Sequence, residues 1–299
     1  MILLIGGTGN VGVHIAAALA GWPVRALVRT QSAADRLAAL GIEPIIGDLL
    51  HPESVGRAFA DVTSVYLATP GANQFDLESA AIDAAERYGV EQIVKVSILY
   101  SSDPSPIALR QAHHEIDARL AESKMAVTLL CPSTFMTHFL WQADLIASGR
   151  ILFPAPTSEI AYVDPRDVAD LAVAVLTART SLIGAHAITG PEALSFTRVA
   201  ERLTRGLGWA VSYEAATDES FSERIRDRGG SVWLAEGLVE IFLDLERRGR
   251  MPVSSIVEEV LGRSPRAISA YVDDYLKPAI AELQPAGCPQ LKLISTPRR

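Results

Sequence analysis

The chain has 299 residues, of which 49% are hydrophobic and 21% are charged, and its formal net charge at pH 7 is -8. This length is enough for one large domain or for a domain with a smaller lobe, and the composition is that of an ordinary globular protein. The negative charge argues against nucleic acid or an anionic membrane as the main partner, because both bind clustered Lys and Arg.

The first predicted elements are a buried strand over Ile2–Ile5, a glycine-rich turn, and a helix over residues 11–19. The glycines fit two spacings, Gly-x-Gly-x-x-Gly from Gly7 and Gly-x-x-Gly-x-x-Gly from Gly6. Unpaired amides and the positive end of a helix both favour an anion, so this turn predicts the pyrophosphate site of a dinucleotide. The predicted cofactor-binding residues of the turn are Gly6, Thr8, Gly9, Asn10, Val11 and Gly12.

Apolar strands alternate with helical patterns as far as Cys131. This alternation predicts an α/β fold with a doubly wound parallel sheet, in which the turns after the strands share one ligand-binding edge. The predicted strands are residues 2–5, 24–28, 44–46, 62–68, 92–96, 126–131 and 185–189. The predicted helices between them include residues 33–40, 75–88 and 107–122.

Prolines and aromatic residues after Cys131 indicate that the chain leaves the sheet and builds a smaller lobe. We predict a Rossmann domain of residues 1–132 plus about 160–190, and a substrate or partner lobe of about 133–159 and 191–282. The lobe is expected to be mainly helical, with helices over residues 196–207, 232–247, 254–261 and 265–276. Residues 283–299 are expected to be a loose tail. Asp164 and Pro165 have the residue types of an N-cap and a first helical position.

The end of the second strand indicates which cofactor binds. An acidic residue there holds the ribose of NAD, whereas an arginine suits the 2′-phosphate of NADP. Here Arg29 follows Val28 without an Asp or Glu, so NADP(H) is favoured and NAD(H) remains possible. Arg25 is the weaker candidate, because it is expected to face solvent or the flank of the sheet.

Two further strand ends carry candidate cofactor residues. Asp48 and Leu49 follow the third strand, where Asp48 either accepts a hydrogen bond from adenine or only forms a turn. Ala68, Thr69 and Pro70 follow the fourth strand, and small residues there let the backbone approach the cofactor.

These residues in this order resemble the NmrA-like group of atypical short-chain dehydrogenases. The matching motifs are Gly6-Gly7-Thr8-Gly9-Asn10-Val11-Gly12, Val28-Arg29, Gly47-Asp48, His113-x-x-x-Asp117, Thr128-Leu129-Leu130-Cys131-Pro132, Asp164-Pro165-Arg166-Asp167 and Gly262-Arg263-Ser264-Pro265-Arg266. Asp117 and Cys131 depart from the family pattern, which has Glu and Arg there. The resemblance covers nearly the whole chain, and it implies a Rossmann domain, a small C-terminal lobe, a nicotinamide cofactor and a site between the two.

The proton donor of ordinary short-chain dehydrogenases is missing. These enzymes use a Tyr-x-x-x-Lys pair, in which Lys lowers the pKa of the phenol. None of the 7 tyrosines is followed four residues later by lysine. The helix pattern puts Leu109 at the Tyr position and His113 at the Lys position.

This departure leaves three interpretations. The first is an NADPH-dependent reductase of a quinone or conjugated aromatic. Its candidate catalytic residues are His113 and Ser97, which are also predicted to contact the cofactor. The alternatives are that His113 is a surface histidine and that Ser97 only forms a turn. Pro132 completes the predicted cofactor set. The second is a non-enzymatic NADP(H) redox sensor whose lobe binds a protein partner. The third is a tailoring enzyme that oxygenates or rearranges a polycyclic aromatic metabolite.

Aromatic residues near the expected cleft motivate the third interpretation and form the predicted substrate set. The residues of this set are Tyr100, Phe135, Phe139, Trp141 and Phe153. The alternative for such residues is the core of the lobe.

Other chemistries find no support in the sequence. The two cysteines, Cys131 and Cys288, are too few for a disulfide framework, and the six histidines have no zinc-binding spacing, so no metal site is predicted. A cleavable apolar leader is absent from the first residues, and we therefore expect a cytoplasmic protein.

Overall fold

The structure is a computed structural model, and it describes residues 1–103 and 105–283. Its strands are β1 (Ile2–Ile5), β2 (Val24–Val28), β3 (Glu43–Ile46), β4 (Ser64–Leu67), β5 (Gln92–Val96), β6 (Ala126–Pro132), β7 (Arg150–Phe153), β8 (Glu159–Ile160), β9 (Gly184–Ile188), β10 (Leu194–Ser195) and β11 (Ser212–Ala215). The predicted tail beyond Leu283 lies outside the described residues.

Helices alternate with these strands in the first half of the chain and dominate the second. They are α1 (Gly12–Ala18), α2 (Gln31–Ala38), α3 (Pro52–Phe59), α4 (Gln74–Arg87), α5 (Ala108–Ala121), α6 (Thr137–Leu140), α7 (Ala143–Ala147), α8 (Pro165–Leu176), α9 (Phe196–Leu207), α10 (Asp218–Asp227), α11 (Val232–Arg248), α12 (Ile256–Leu261), α13 (Ile268–Tyr271) and α14 (Lys277–Ala281). Among them, no helix is both long and apolar enough to cross a bilayer.

Seven strands form one sheet in the order β3-β2-β1-β4-β5-β6-β9. All of its neighbouring strands run parallel. The strand order reverses between β1 and β4, and ligands of such sheets bind at the carboxyl ends of the strands beside that point. This topology confirms the predicted α/β fold with a doubly wound sheet.

The sheet is buried on both faces, as expected for parallel strands covered by helices. On β1, Leu3 and Ile5 join a core with side chains of α3, α4 and α5, and the alternate residue Leu4 is equally buried. Successive side chains of a strand point to opposite faces. The same alternation puts Lys95 of β5 on the face of Ile93, which belongs to the core that α4 and α5 cover.

The chain divides into two compact units. Among the described residues, unit 1 comprises Met1–Pro132 and Arg166–Ile188, and contains the seven-stranded sheet. Unit 2 comprises Ser133–Pro165 and the chain from Thr189 onward. It is mainly helical, with an antiparallel pair formed by β8 and β10 and a parallel pair formed by β7 and β11.

Several elements of the structure are missing from the sequence prediction. The helices α3 and α10 are short, and the ladder of β7 and β11 joins segments far apart in the chain. The predicted helix over residues 265–276 is also wrong in part, because α13 ends at Tyr271 and a π-helical turn, Val272–Leu276, follows. Pro278 in α14 has no amide hydrogen and crowds the carbonyl four residues earlier, which explains the wider turn.

Candidate functional site

The turn between β1 and α1 has no room for side chains at two glycines. Gly6 has a φ of +93°, and a Cβ atom there would lie 2.0 Å from the Ala68 carbonyl oxygen at the end of β4. A Cβ atom on Gly12 would lie 2.0 Å from the Gly6 carbonyl oxygen. At Gly7 the nearest atom would be 3.4 Å away, an ordinary contact. The structure therefore requires glycine at the ends of the Gly6-x-x-Gly9-x-x-Gly12 spacing.

The same turn fits a dinucleotide. Helix α1 begins at Gly12, and Val11 before it supplies no side-chain cap. The Val13 and His14 amides donate to the carbonyl oxygens of Gly9 and Val11, so the features that favour an anion here are the positive end of the helix and the closely packed glycine backbone. Val11 is buried, Thr8 and Asn10 are partly buried, and Gly9 is exposed. The close packing at Gly6 and Gly12 leaves a cradle of backbone that a Cβ would fill, and a pyrophosphate suits such a cradle.

Two arginines of the second strand region differ in their surroundings. Arg25 on β2 contacts Glu43 at 2.8 Å, and its guanidinium donates to the Ala60 carbonyl oxygen at 2.6 Å. Arg29, directly after β2, is exposed, and no hydrogen bond or ion pair engages its guanidinium within the described part of the chain. Arg29 is therefore the arginine available for a ligand, while Arg25 ties β2 to β3 and to the segment after α3.

Asp48 after β3 forms a turn. One of its carboxylate oxygens, Oδ1, accepts a hydrogen bond from the Leu50 amide at 3.0 Å, and its own amide donates to the Ser54 hydroxyl at 2.9 Å. The neighbouring Leu49 is buried, whereas Asp48 is partly exposed. The turn role of Asp48 is thus present, and a contact with adenine stays a prediction.

The end of β4 leads into a buried carboxylate. Ala68 approaches the glycine turn as described above, Thr69 is partly buried and Pro70 is exposed. The Thr69 amide and hydroxyl both donate to Glu78 Oε1, at 2.9 and 3.1 Å. Gln74 Nε2 donates to the same oxygen at 3.2 Å, so three hydrogen bonds hold the Glu78 side chain at the start of α4.

A charged array lies beside this carboxylate, where β5 faces α4 and α5. The Lys95 side chain is fully buried, and its Nζ lies 2.9 Å from Asp117 Oδ1 and 3.7 Å from Glu78 Oε2. The same Nζ lies 3.1 Å from His113 Nδ1, and the Ser97 hydroxyl donates to Asp117 Oδ2. We refer to Glu78, Lys95, Ser97, His113 and Asp117 as the Lys95 array.

Burial and charge shift the protonation of the array in definite directions. Burial raises the pKa of Glu78, and the Lys95 ammonium together with hydrogen bonds from Thr69 and Gln74 opposes that rise. Burial lowers the pKa of His113 well below its ordinary value, and the positive charge of Lys95 lowers it further. His113 is therefore a neutral imidazole at neutral pH.

Ser97 and Pro132 are engaged inside unit 1. Ser97 is 3% exposed, and its hydroxyl donates to Asp117, so it supports the array; a contact of Ser97 with a ligand stays a prediction. The Pro132 carbonyl oxygen accepts a hydrogen bond from the Leu99 amide at 3.1 Å. Leu109, at the position of the usual catalytic tyrosine, is buried in α5.

Tyr100 lies in the turn after β5. It is partly buried and has a φ of +65°, which is rare for a residue other than glycine. Backbone conformations of this kind are often found at functional sites. A substrate contact for Tyr100 stays a prediction.

The predicted aromatic substrate residues after β6 belong to unit 2. Phe139 and Phe153 are fully buried. The Phe139 ring is tilted against Tyr162 with 4.9 Å between ring centroids, and Phe153 stacks on Phe196 at 4.7 Å. As a correction to the predicted substrate role, we assign these two rings to the core of unit 2, because neither has an exposed face.

The remaining two aromatic residues are partly exposed. Phe135 forms a β-bridge with Val163, and Trp141 stacks on His138 with 4.6 Å between ring centroids. A substrate contact for Phe135 and Trp141 stays a prediction.

Sequence reasoning missed Lys95, Glu78 and Gln74, and treated Asp117 only as a departure from a motif. A signal for Lys95 was available, because it interrupts the apolar run Ile93-Val94-Lys95-Val96 of a strand expected to be buried on both faces. A lysine in such a strand must be paired. Its partners come from two helices whose distance from β5 is set by packing. Within the described residues no group of three or more His, Cys, Asp or Glu is arranged to hold a metal.

Comparison with known proteins gives a consistent picture. A family model described as the NmrA-like family matches residues 1–268. The NAD(P)H azoreductase of Xenophilus azovorans is 31% identical over 275 residues, which cover 91% of this chain and 96% of that protein. Quinone oxidoreductase 2 of Escherichia coli is 24% identical, with 91% of this chain and 97% of that protein covered.

A solved structure shares the fold. It is that of the NADPH-dependent quinone oxidoreductase QOR2 from Escherichia coli, complexed with NADPH. Its TM-score is 0.81 at 24% identity, and the match covers 91% of this chain and 99% of that one.

Proposed function

The chain belongs to the NmrA-like family, and from that premise we propose that it is an NADPH-dependent reductase of quinones or related conjugated acceptors. The observation that carries the proposal is the Lys95 array, a set of polar and charged groups around a buried lysine, two strands away from the glycine turn on the same sheet. Neighbouring strands are about 4.8 Å apart, so β5 and β1 are separated by roughly 10 Å. That separation suits a nicotinamide held between the glycine turn and the array.

The proposed reaction needs one hydride and one proton. Reduced nicotinamide, when bound, supplies the hydride. The acceptor becomes an anion whose charge is spread over a conjugated system, and one proton completes the hydroquinone. Such an acceptor needs a weaker acid than a simple ketone does, because its anion is delocalised. The chain therefore has less need of the Tyr-x-x-x-Lys pair that it lacks.

His113 is the group of this chain that we place beside the acceptor. Its Nδ1 faces Lys95 and Gln74 inside unit 1, while its side chain is only partly buried. Ser97 and the turn that contains Tyr100 both follow β5, and Ser97 donates to Asp117, which pairs with the same Lys95 that contacts the imidazole. A neutral imidazole at this position can donate a hydrogen bond to the acceptor as negative charge develops there.

The names of the relatives favour reduction over the other two interpretations. Both curated relatives described above are named as reductases or oxidoreductases, one acting with NAD(P)H on azo compounds and one on quinones. Azo compounds and quinones share a conjugated, electron-poor acceptor. This shared chemistry supports a conjugated acceptor here, and it lends no support to a sensor or to an oxygenating enzyme.

The test is a turnover assay with NADPH and a panel of quinones and azo compounds. Loss of absorbance of the reduced nicotinamide reports turnover. Product analysis checks the stoichiometry, which is one NADPH for each quinone reduced to a hydroquinone or azo bond reduced to a hydrazine, and two NADPH for each azo bond cleaved to two amines. We expect turnover of at least one acceptor class and a roughly 100-fold lower kcat in His113→Ala, the loss typical of a removed general acid. The control is His51→Ala, since His51 has an exposed side chain, 68% accessible, outside the array.

The outcomes separate the three interpretations. NADPH binding without oxidation by any acceptor contradicts the proposal and favours a sensor. Consumption of an aromatic compound without matching loss of NADPH favours the tailoring enzyme. Turnover that is unchanged in His113→Ala leaves a reductase but removes His113 from its site.

A further inference from the structure

The contacts of His113 determine which of its nitrogens carries the proton. Lys95 Nζ lies 3.1 Å from His113 Nδ1. An ammonium has three donors and no acceptor, so Nδ1 must be the acceptor and must be unprotonated. Gln74 Nε2 lies 3.4 Å from the same nitrogen, and the same amide nitrogen donates to Glu78 Oε1. Two donors therefore converge on Nδ1, and the single proton of the neutral ring resides on Nε2.

Lys95 is held rigidly enough to impose this arrangement. Its side chain is fully buried, with Asp117 Oδ1 at 2.9 Å and Glu78 Oε2 at 3.7 Å. Asp117 is in turn fixed by the Ser97 hydroxyl, and Glu78 by Thr69 and Gln74. The ammonium is thus anchored by carboxylates from α4 and α5 and by a long contact of 3.5 Å to the Val96 carbonyl oxygen, and it also contacts the imidazole.

We propose that Lys95 is a positioning residue that keeps His113 in the neutral tautomer with its proton on Nε2, so that this N–H is presented to the acceptor. The inference rests on the proposed function for the identity of the acceptor, but not for the tautomer. Within the described part of the chain Nε2 has no hydrogen-bond partner, whereas Nδ1 has two.

The charged groups around His113 either disfavour a protonated imidazole or are paired with Lys95. Lys95 on β5 disfavours a positively charged imidazole, and burial does so as well. Asp117 on α5 and Glu78 on α4 pair with Lys95 itself. Cys131 on β6 is a thiol rather than a thiolate at neutral pH, because burial raises its pKa to about 11 and Asp117 adds to that rise. No group named here favours a protonated ring strongly enough to offset burial and the Lys95 charge.

The first test is NMR spectroscopy of the full chain labelled with ¹⁵N-histidine, with the His113 signals assigned by their loss in His113→Gln. Two-bond couplings between ring protons and ring nitrogens distinguish the two tautomers from the imidazolium. We expect the wild-type protein to show the Nε2–H tautomer throughout the neutral range. An Nδ1–H tautomer or an imidazolium in that pH range overturns the proposal. This result is obtained on the wild-type protein, so it does not require that a Lys95 variant folds.

The second test compares Lys95→Met with Lys124→Met, which removes the same charge from an exposed residue. In Lys95→Met the pKa of His113 should rise, the two tautomers should mix, and kcat should fall roughly 10-fold or more with little change in the KM for NADPH. The pH profile of kcat should move with the pKa of His113. Lys124→Met should leave the tautomer and the profile unchanged. A Lys95→Met protein that folds and retains the wild-type tautomer and profile contradicts the proposal.

Failure of this inference is distinguishable from failure of the proposed function. If no acceptor is reduced but His113 shows the Nε2–H tautomer and loses it in Lys95→Met, the positioning role stands without the reductase. If acceptors are reduced while wild-type His113 has the other tautomer, the reductase stands and Lys95 is not its positioning residue.

Discussion

At the scale of single residues, the surroundings of two arginines assign them different roles. Arg25 is tied to Glu43 and to backbone carbonyls, so its charge is already neutralised within unit 1. Arg29, four residues later, is exposed at the carboxyl end of β2. A guanidinium in that position can bind a phosphate through two parallel hydrogen bonds. NADP has such a phosphate on its adenosine ribose, and NAD does not.

We therefore predict that Arg29→Ala weakens binding of NADPH far more than that of NADH. Hydrogen bonds to a charged group contribute about 1.5–3 kcal/mol, so the Kd for NADPH should rise roughly 10-fold to 100-fold. Isothermal titration calorimetry with each cofactor measures this. The matched control is Arg36→Ala, an exposed arginine in α2, which should change neither Kd. An equal loss for both cofactors in Arg29→Ala would remove Arg29 from the phosphate site.

At the scale of elements, the glycine turn shows how tightly β1, α1 and β4 are packed. A side chain at Gly12 would collide with the backbone of Gly6 and Gly7, and backbone cannot move aside as a flexible side chain does. Gly7 lies in the same turn but has room for a methyl group in ordinary contact with Leu4. The fold therefore requires glycine at position 12 but leaves room for a small side chain at position 7, although both residues are glycines of the same sequence motif.

Gly12→Ala should accordingly destabilise the protein much more than Gly7→Ala. Overpacking costs about 1–3 kcal/mol in ordinary cores, and we expect a loss at the upper end of that range for Gly12→Ala because the clash is with backbone. Urea denaturation without cofactor measures the loss of stability, and NADPH titration measures the loss of affinity. Similar denaturation midpoints for the two variants would show that the turn relaxes around an added methyl group.

At the scale of the whole molecule, two neutral histidines link stability to pH. Burial lowers the pKa of His138 in unit 2 to about 4, and burial with the Lys95 charge lowers that of His113 in unit 1. The unfolded chain has histidines with pKa near 6.5, so it binds more protons than the folded chain below that pH. Their contribution to stability is therefore complete above about pH 7 and decreases as the pH falls from 6.5 toward 4.

For His138 alone, linkage predicts about 2 kcal/mol of stability lost between pH 7 and pH 5. His138→Gln should lack this part of the pH dependence, so its urea midpoint should fall less over that interval than the midpoint of the wild-type protein. His51→Gln, with an exposed side chain, should behave as the wild-type protein does. Identical pH dependence in His138→Gln and wild type would mean that His138 is not held neutral by the fold.

Much of unit 1 could be predicted because its signals are local. The strands β1, β2 and β5 have the predicted bounds, since a buried strand between turn residues is marked by a short apolar run. The glycine turn could be predicted from the spacing of its glycines together with the strand before it and the helix after it, because the packing at Gly6 and Gly12 leaves no room for a side chain. Helix α10 has local signals too, including Thr217 as N-cap and acidic residues in its first turn, but the helix is short and polar and so lacks a clear apolar face in the sequence.

The sequence by itself determined the doubly wound sheet, the glycine cradle and the absence of the Tyr-x-x-x-Lys pair, since each depends on residues close together in the chain. Only the tertiary structure decided which charged side chains meet inside unit 1. Lys95 meets Glu78 from α4 and His113 and Asp117 from α5 because the helices pack on one face of β5. It also decided that Phe139 and Phe153 are core residues. Burial and the pairing of charges depend on which distant segments meet, and no local pattern records that.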